Sequence, residues 1–260
     1  MSVLTDTAAE TAISAACLEL RLPTVRAQAG PMADGATRER LTYRAYLAEL
    51  LCAETDDRSE RRRARRVNEA RFPRMKRLQE FDLGSSPSIK SETIAQLASC
   101  AFIDAGEPVV LVGDSGTGKT HILIGLGVAA CEAGKRVRYV TAAELVNELV
   151  EAEDEREVSR VIGRYSRLDL LCLDELGYLH LDSRGAELLF QVITAREERA
   201  SIAVASNLPF SEWGRVFPDP RLAAAVVDRL TYKAHIVQTG TDSYRLRAST
   251  QSKKGGSTKK

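Results

Sequence analysis

The octapeptide Gly113-Asp114-Ser115-Gly116-Thr117-Gly118-Lys119-Thr120 lies between the apolar run Val109–Val112 and a stretch with Ile122, Leu123, Leu126 and Ala130 at helical spacing. It satisfies GxxxxGK[ST] at every fixed position, a pattern that works only as strand, loop and helix in that order. The glycines are needed because backbone N–H groups must turn inward around a phosphate, where side chains would obstruct them. Lys119 then reaches the β- and γ-phosphates and the Thr120 hydroxyl ligates Mg²⁺. The helix that follows points its positive end at the anion. A chain built around this unit is an α/β protein that binds a nucleoside triphosphate through all eight residues, Gly113 to Thr120.

Downstream, Val137–Val140, Leu168–Leu173, Ile202–Ser206 and Ala234–Val237 are short apolar runs separated by helix-like segments. Strands of this kind belong to a parallel sheet buried on both faces, five-stranded once Val109–Val112 is included. The run Leu168–Leu173 ends in Asp174-Glu175, the Walker B arrangement: Asp174 to hold Mg²⁺ and Glu175 to polarise the attacking water. An acidic helix cap after a buried strand is the bland alternative, a poor one with a P-loop upstream. Asn207, at the tip of the strand Ile202–Ser206, is placed to reach the γ-phosphate and the lytic water, although such residues more often serve turns. Arg229, just before the last strand, fits a guanidinium presented to a neighbouring subunit's γ-phosphate, or else a helix-terminal salt bridge.

Ahead of this core, residues 8–22 and a segment from about Leu41 read as helices, the second burying Tyr43, Leu47, Leu50 and Leu51, with a Gly/Pro-containing loop over residues 23–36 between them. The net charge of +1 conceals a local excess, because residues 58–77 carry ten Arg/Lys against two Glu. Gly84–Ser88 reads as a linker. The expected domains are a helical DNA-binding unit with its basic segment (1–75), an ATPase core (76–248) and a disordered tail (249–260) rich in Ser, Gly and Lys. Five scattered cysteines without a CxxC pair and three separated histidines predict reduced thiols, a cytoplasmic protein and no structural zinc. No apolar stretch is long enough to span a bilayer, so no membrane partner is expected.

The basic block, with Arg58, Arg61, Arg62, Arg65 and Arg66 at its centre, is dense enough to attract a polyanion, against the plainer reading of a solvated helix face. A second set, Arg156, Arg160, Arg164 and Arg167, recurs at helical spacing between the second and third strands and predicts one basic helix face that could also line a DNA path. Pairing of Glu153 with Arg156 and of Glu157 with Arg160 would neutralise half of it. Neither stretch has aromatics at stacking intervals, which favours contact with duplex backbone over single-strand stacking.

The segments GDSGTGKTH (113–121), LLCLDELGYL (170–179), ASNLPFSEWGRVF (205–217) and AAAVVDRLTYKAHIVQTGTDSYRLR (223–247) resemble the IstB family and the related DnaC-type helicase loaders, over roughly residues 37–248. The resemblance implies an AAA+ ATPase working beside a separate transposase. It would form a ring or helical filament on duplex DNA, select target sites and stimulate its partner, with ATP hydrolysis controlling assembly. It also implies Lys119 and Thr120 as the Walker A pair, Asp174 and Glu175 as Walker B, Asn207 as sensor 1 and Arg229 as a trans-acting finger. Phe81 and Asp82 match an element placed near the adenine. Only 31 residues follow Arg229, which predicts no separate helical lid and leaves Arg245 as the candidate substitute for sensor 2. A replicative helicase loader is the alternative, and a small-molecule kinase a third reading that Glu175 disfavours.

Overall fold

The computed structural model describes residues 5–241, with the side chain of Ser85 excepted. Arg245 and the tail 249–260 lie outside the described residues. The chain divides into two compact units between Arg65 and Arg66, so the expected boundary at residues 75/76 lies inside the second unit.

The first unit is helical: α1 (Asp6–Glu19), α2 (Pro23–Glu39) and α3 (Tyr43–Glu69), whose last turn belongs to the second unit. Helix α2 replaces the loop expected over residues 23–36. Pro23 stands at its first turn, where a missing N–H costs nothing. The buried carboxylate of Glu54 on α3 accepts hydrogen bonds from the N–H groups of Thr24 (2.8 Å) and Val25 (3.1 Å), acting as an N-cap supplied from 30 residues away. Packing of Val25 and Ala29 against Cys17 and Leu50 then outweighs Gly30, Pro31 and Gly35. The expected core of α3 is also corrected. Of the four predicted residues only Leu50 is buried, while Tyr43 is 93% exposed and Leu47 and Leu51 are about half exposed. The three-helix core is too small to cover a wider apolar face.

The second unit is a parallel sheet between helices. After α4 (Ser91–Ala98) and the single turn α5 (Ala101–Asp104) come β1 (Val109–Val112), α6 (Lys119–Glu132) and β2 (Val137–Thr141). There follow α7 (Ala142–Asp154), α8 (Val158–Ser166), β3 (Leu170–Asp174), α9 (Ser183–Arg196), β4 (Ser201–Ser206), α10 (Pro220–Thr231) and β5 (His235–Gln238). The order across the sheet is β2-β3-β4-β1-β5, all neighbours parallel. Strands β3 and β4 are buried at every position, as a central strand with helices on both faces requires. The order also places the tip of β4 between the P-loop strand and the Walker B strand.

The residues between α3 and the expected linker Gly84–Ser88 are folded against α6. Phe72 lies where Gly127 has no side chain, Leu78 against Gly125 and Phe81 against Gly118; a Cβ on these glycines would come within 2.6–2.7 Å of those side chains. The ring of His121 shares a hydrogen bond with the carbonyl of Arg77 (2.9 Å). The N–H of Tyr139 donates to the carbonyl of Ala70 (2.9 Å), which covers the outer edge of β2. Residues 70–83 thus form a strap across the P-loop helix and belong to the site.

Candidate active site

The P-loop takes the conformation its glycines permit: Gly116 and Gly118 have φ of +83° and +98°, in the left-handed region. Helix α6 starts at Lys119 with Gly118 as its cap, so its free N–H groups open into a cleft of about 340 Å³. Lys119 is nearly buried, and its Nζ donates to the carbonyls of Gly113 and Asp114 at 2.7 Å each. Thr117 ties the loop to the end of β5: its hydroxyl donates to the Asp114 carbonyl (2.8 Å) and lies 2.6 Å from the Thr239 hydroxyl. The N–H of Asp114 donates to the Gly240 carbonyl (3.0 Å). Thr239 and Gly240 thus hold the loop from the far end of the chain, and neither was a candidate on sequence grounds.

Asp174 closes β3 and is buried. Its Oδ2 accepts from the Tyr139 hydroxyl (2.7 Å) and its Oδ1 from the Glu175 N–H (2.9 Å), which fixes the carboxylate and leaves a lone pair on each oxygen. Burial, and then the Asp174 charge, push the Tyr139 phenol far up, so the hydroxyl remains a donor. Glu175 has φ +62° and ψ +27°, an uncommon conformation for a non-glycine residue, and an exposed side chain on the wall of the same cleft. Asn207 also lines the cleft, and its Oδ1 is buried without a hydrogen-bond partner among the described residues. A polar atom left so is held for another ligand or for strain. Gly177 makes room for it, because a Cβ there would collide with the Asn207 side chain and lie 3.0 Å from the Leu208 nitrogen.

Phe81, Asp82, Ser115 and Thr120 complete the wall, with the Phe81 ring edge-on to His121 at 5.3 Å. The structure therefore brings together Lys119, Thr120, Asp174, Glu175, Asn207, Phe81 and Asp82. It does not bring Arg229 to them. That side chain lies 2.9 Å from Glu197 Oε2 and 4.7 Å above the Phe190 ring. It lines a different cleft with Glu107, Pro108 and Ala200, which precede β1 and β4. That is the N-terminal edge of the parallel sheet, whereas the P-loop is at the C-terminal edge.

The second basic set is corrected. Arg156 sits with φ +61° in the turn between α7 and α8, so the residues do not share one helix face. Arg160 pairs with Glu157, as the pairing alternative predicts, and Arg164 pairs with Glu148 of α7. Glu153 pairs with Arg184 rather than Arg156. Burial raises the Glu148 carboxyl, but hydrogen bonds from Tyr165 and Arg164 more than offset it and hold the group below its ordinary value. In the first set, Arg58 donates to the Arg21 carbonyl (2.8 Å) and pairs with Glu54, and Arg61 pairs with Asp57 and donates to the Thr24 hydroxyl (2.8 Å). Arg62, Arg63 and Arg65 are exposed on α3. Arg66, half-buried, belongs to the second unit beside Gly134.

All five cysteines are free thiols, Cys52 alone exposed. Among the described residues no cluster of His, Cys, Asp and Glu forms a metal site of its own, and no helix is long and apolar enough to cross a membrane.

A parallel sheet of this order, with a P-loop on one strand, paired acids on a second and a polar amide between them, defines an AAA+ ATP-binding core. The same fold occurs in AMPPCP-bound DnaA from Aquifex aeolicus (TM-score 0.54, 22% identity, 71% of this chain and 56% of that one) and in DnaI (0.51, 19%, 63% and 90%). The chain belongs to the family of IstB-like ATP binding proteins, whose profile matches residues 15–252. It is 37% identical to an ATP-binding protein of insertion sequence IS21 from Pseudomonas aeruginosa, over 82% of this chain and 81% of that one. With the corresponding protein of IS5376 from Geobacillus stearothermophilus the identity is 35%, over 89% and 92%.

Proposed function

We propose that the protein hydrolyses ATP with Mg²⁺ and, as a cytoplasmic oligomer on duplex DNA, helps a partner transposase to select and use its target. The observation that carries the hydrolytic part is the pair Asp174 and Glu175. One carboxylate is buried and fixed by two hydrogen bonds, while its neighbour is turned by a left-handed backbone into the same cleft with its side chain free to meet water. Thr120 and Asp174 would hold Mg²⁺: both line the cleft and Asp174 keeps an open lone pair on each oxygen. Bound there, the ion would offset phosphate charge. Lys119 and the start of α6 hold the triphosphate, Glu175 orients and deprotonates water, and the Asn207 amide is available to that water or to the γ-phosphate.

The transposition part rests on relatives named for insertion sequences, which favour this role over helicase loading. Arg62, Arg63 and Arg65 supply exposed positive charge for DNA. The position of Arg229, on the edge of the sheet away from its own P-loop, supports action on a neighbouring copy. Tyr43, Leu47 and Leu51 offer an apolar surface for a protein partner.

The test is ATP turnover with and without duplex DNA and transposase, in wild type, Lys119→Ala and Glu175→Gln. Glu175→Gln should retain ATP binding and lose turnover by about 100-fold or more, and Lys119→Ala should lose binding. Turnover that survives Glu175→Gln rejects the assigned base. Absence of any response to DNA or transposase rejects the helper role.

A further inference from the structure

The strap over α6 carries two cations into the nucleotide cleft. Arg74 and Lys76 both line it, and Arg74 also lines the adjoining groove that contains Thr120, Asp174 and Glu175. Neither makes an ion pair or a side-chain hydrogen bond with any described residue. Both come from the basic block whose sequence suggests a DNA surface.

The charge balance of the cleft gives them a task. Glu80, Asp82, Asp174 and Glu175 line it against Lys119. Without Arg74 and Lys76, four carboxylates would face one ammonium in a cleft that must accept a polyanion, a deficit that a single Mg²⁺ would offset only in part. The strap is also held on both sides of the pair. Phe72 is lodged at Gly127 and Leu78 at Gly125, and the Arg77 carbonyl is tied to His121. Pro73 restricts the backbone just before Arg74. The backbone that carries the two cations is thus already ordered, and only their side chains would lose freedom on meeting a ligand.

We infer that Arg74 and Lys76 are phosphate-binding residues of the ATP site. Arg74, which lines the same groove as Thr120 and Glu175, reads the γ-phosphate, and Lys76 contacts the phosphates common to ATP and ADP. The inference rests on the reading that a triphosphate occupies this cleft. It gives the protein a cation acting on its own nucleotide from the amino-terminal side of the P-loop.

The experiment is binding of ATP analogue and of ADP, each with Mg²⁺, to full-length wild type, Arg74→Ala, Arg74→Lys and Lys76→Ala. Melting temperature is recorded for each variant. A hydrogen bond between charged groups corresponds to roughly 10- to 100-fold in affinity. Arg74→Ala should lose that factor for the triphosphate and less than about 3-fold for ADP, with partial recovery in Arg74→Lys. Lys76→Ala should weaken both nucleotides by about 10-fold or more without lowering the melting temperature. Equal losses for the two nucleotides in Arg74→Ala would overturn its assignment to the γ-phosphate, as would no loss at all. Unchanged affinities in Lys76→Ala would remove that residue. Wild-type protein that bound neither nucleotide would instead reject the occupancy of the cleft.

Discussion

The hydrogen bond from Tyr139 to Asp174 separates metal binding from folding, and Tyr139→Phe isolates it. The substitution deletes one oxygen, leaves the ring against Phe72 (centroids 6.2 Å apart) and leaves the backbone tie to Ala70 in place. What is lost is a 2.7 Å donor to Asp174 Oδ2, which then depends on the Glu175 N–H at its other oxygen. A hydrogen bond to a charged acceptor contributes about 1.5–3 kcal/mol, and water cannot readily replace it because Asp174 is only 3% exposed. The carboxylate is thereby freer to rotate, and loss of such an orienting partner typically costs about 10- to 100-fold in metal affinity. The assay is a Mg²⁺ titration of fluorescent ATP-analogue binding, with metal-free nucleotide as reference. The midpoint should rise by that factor while metal-free binding stays within about twofold. The phenol is a donor throughout the neutral and mildly alkaline range, so the difference should be flat with pH there. A lowered melting temperature with an unmoved Mg²⁺ midpoint would show that the bond serves packing alone and refute the reasoning.

Three other outcomes follow from the geometry. Gly127→Ala sets about 1 kcal/mol of helix propensity against a Cβ 2.6 Å from the Phe72 ring and 3.2 Å from Cys172 Sγ. Overpacking at about 1–3 kcal/mol should win, and adding Phe72→Ala should remove the penalty in a double-mutant cycle of denaturant midpoints. Burial raises the Glu54 carboxyl, but the Val25 and Thr24 N–H groups and Arg58 together hold it below its ordinary value of 4.5. Its stabilisation is therefore present above that value and lost as pH falls through the folded one; Glu54→Gln should flatten the acid limb of melting temperature against pH. Arg61/Arg62/Arg65/Arg66→Ala should lower the log–log salt slope of duplex binding by roughly 2 to 4, at roughly 0.9 per phosphate contact, and Arg160→Ala with Arg164→Ala by less than about 1. Equal slopes for the two variants in fluorescence anisotropy would sink the placement of the DNA surface.

The sheet was legible in the sequence because its signals are local. Apolar runs such as Leu170-Leu171-Cys172-Leu173 have one stable use, a strand covered on both faces, and Gly118 and Lys119 act within a few residues of each other. Helix α2 was not legible. Gly30, Pro31 and Gly35 are breakers by propensity, and the group that overrides them, Glu54, caps the helix from another helix. The exposed face of α3 was misread for the related reason that apolar spacing reports a helix face, and only the number of partner helices decides how much of it is buried. Arg164 illustrates the same limit for charge: its partner Glu148 is 16 residues upstream on α7, beyond any helical repeat, and a break at Arg156 had to turn the chain for them to meet.

The packing of the strap on α6 was not legible either, and the reason is chemical. Gly125 and Gly127 inside a helix cost about 1 kcal/mol each relative to alanine, which reads locally as a weakness of α6. Their missing side chains are the sockets for Leu78 and Phe72, and Gly118 serves both the phosphate loop and Phe81. The strap fills these sockets, and it follows α3 directly in the chain. Anything that moved residues 70–81 would disturb the edge of β2 at Tyr139, hence the Asp174 carboxylate, and at its other end the ring that stands on the P-loop. The hydrogen-bonded route from the start of the strap to the Walker B acid is therefore short: Ala70 accepts from the Tyr139 backbone, and the Tyr139 hydroxyl donates to Asp174. If duplex DNA accelerates turnover, Tyr139→Phe should blunt that acceleration more than it lowers the DNA-free rate at saturating Mg²⁺. Equal reduction of both rates would place the coupling elsewhere.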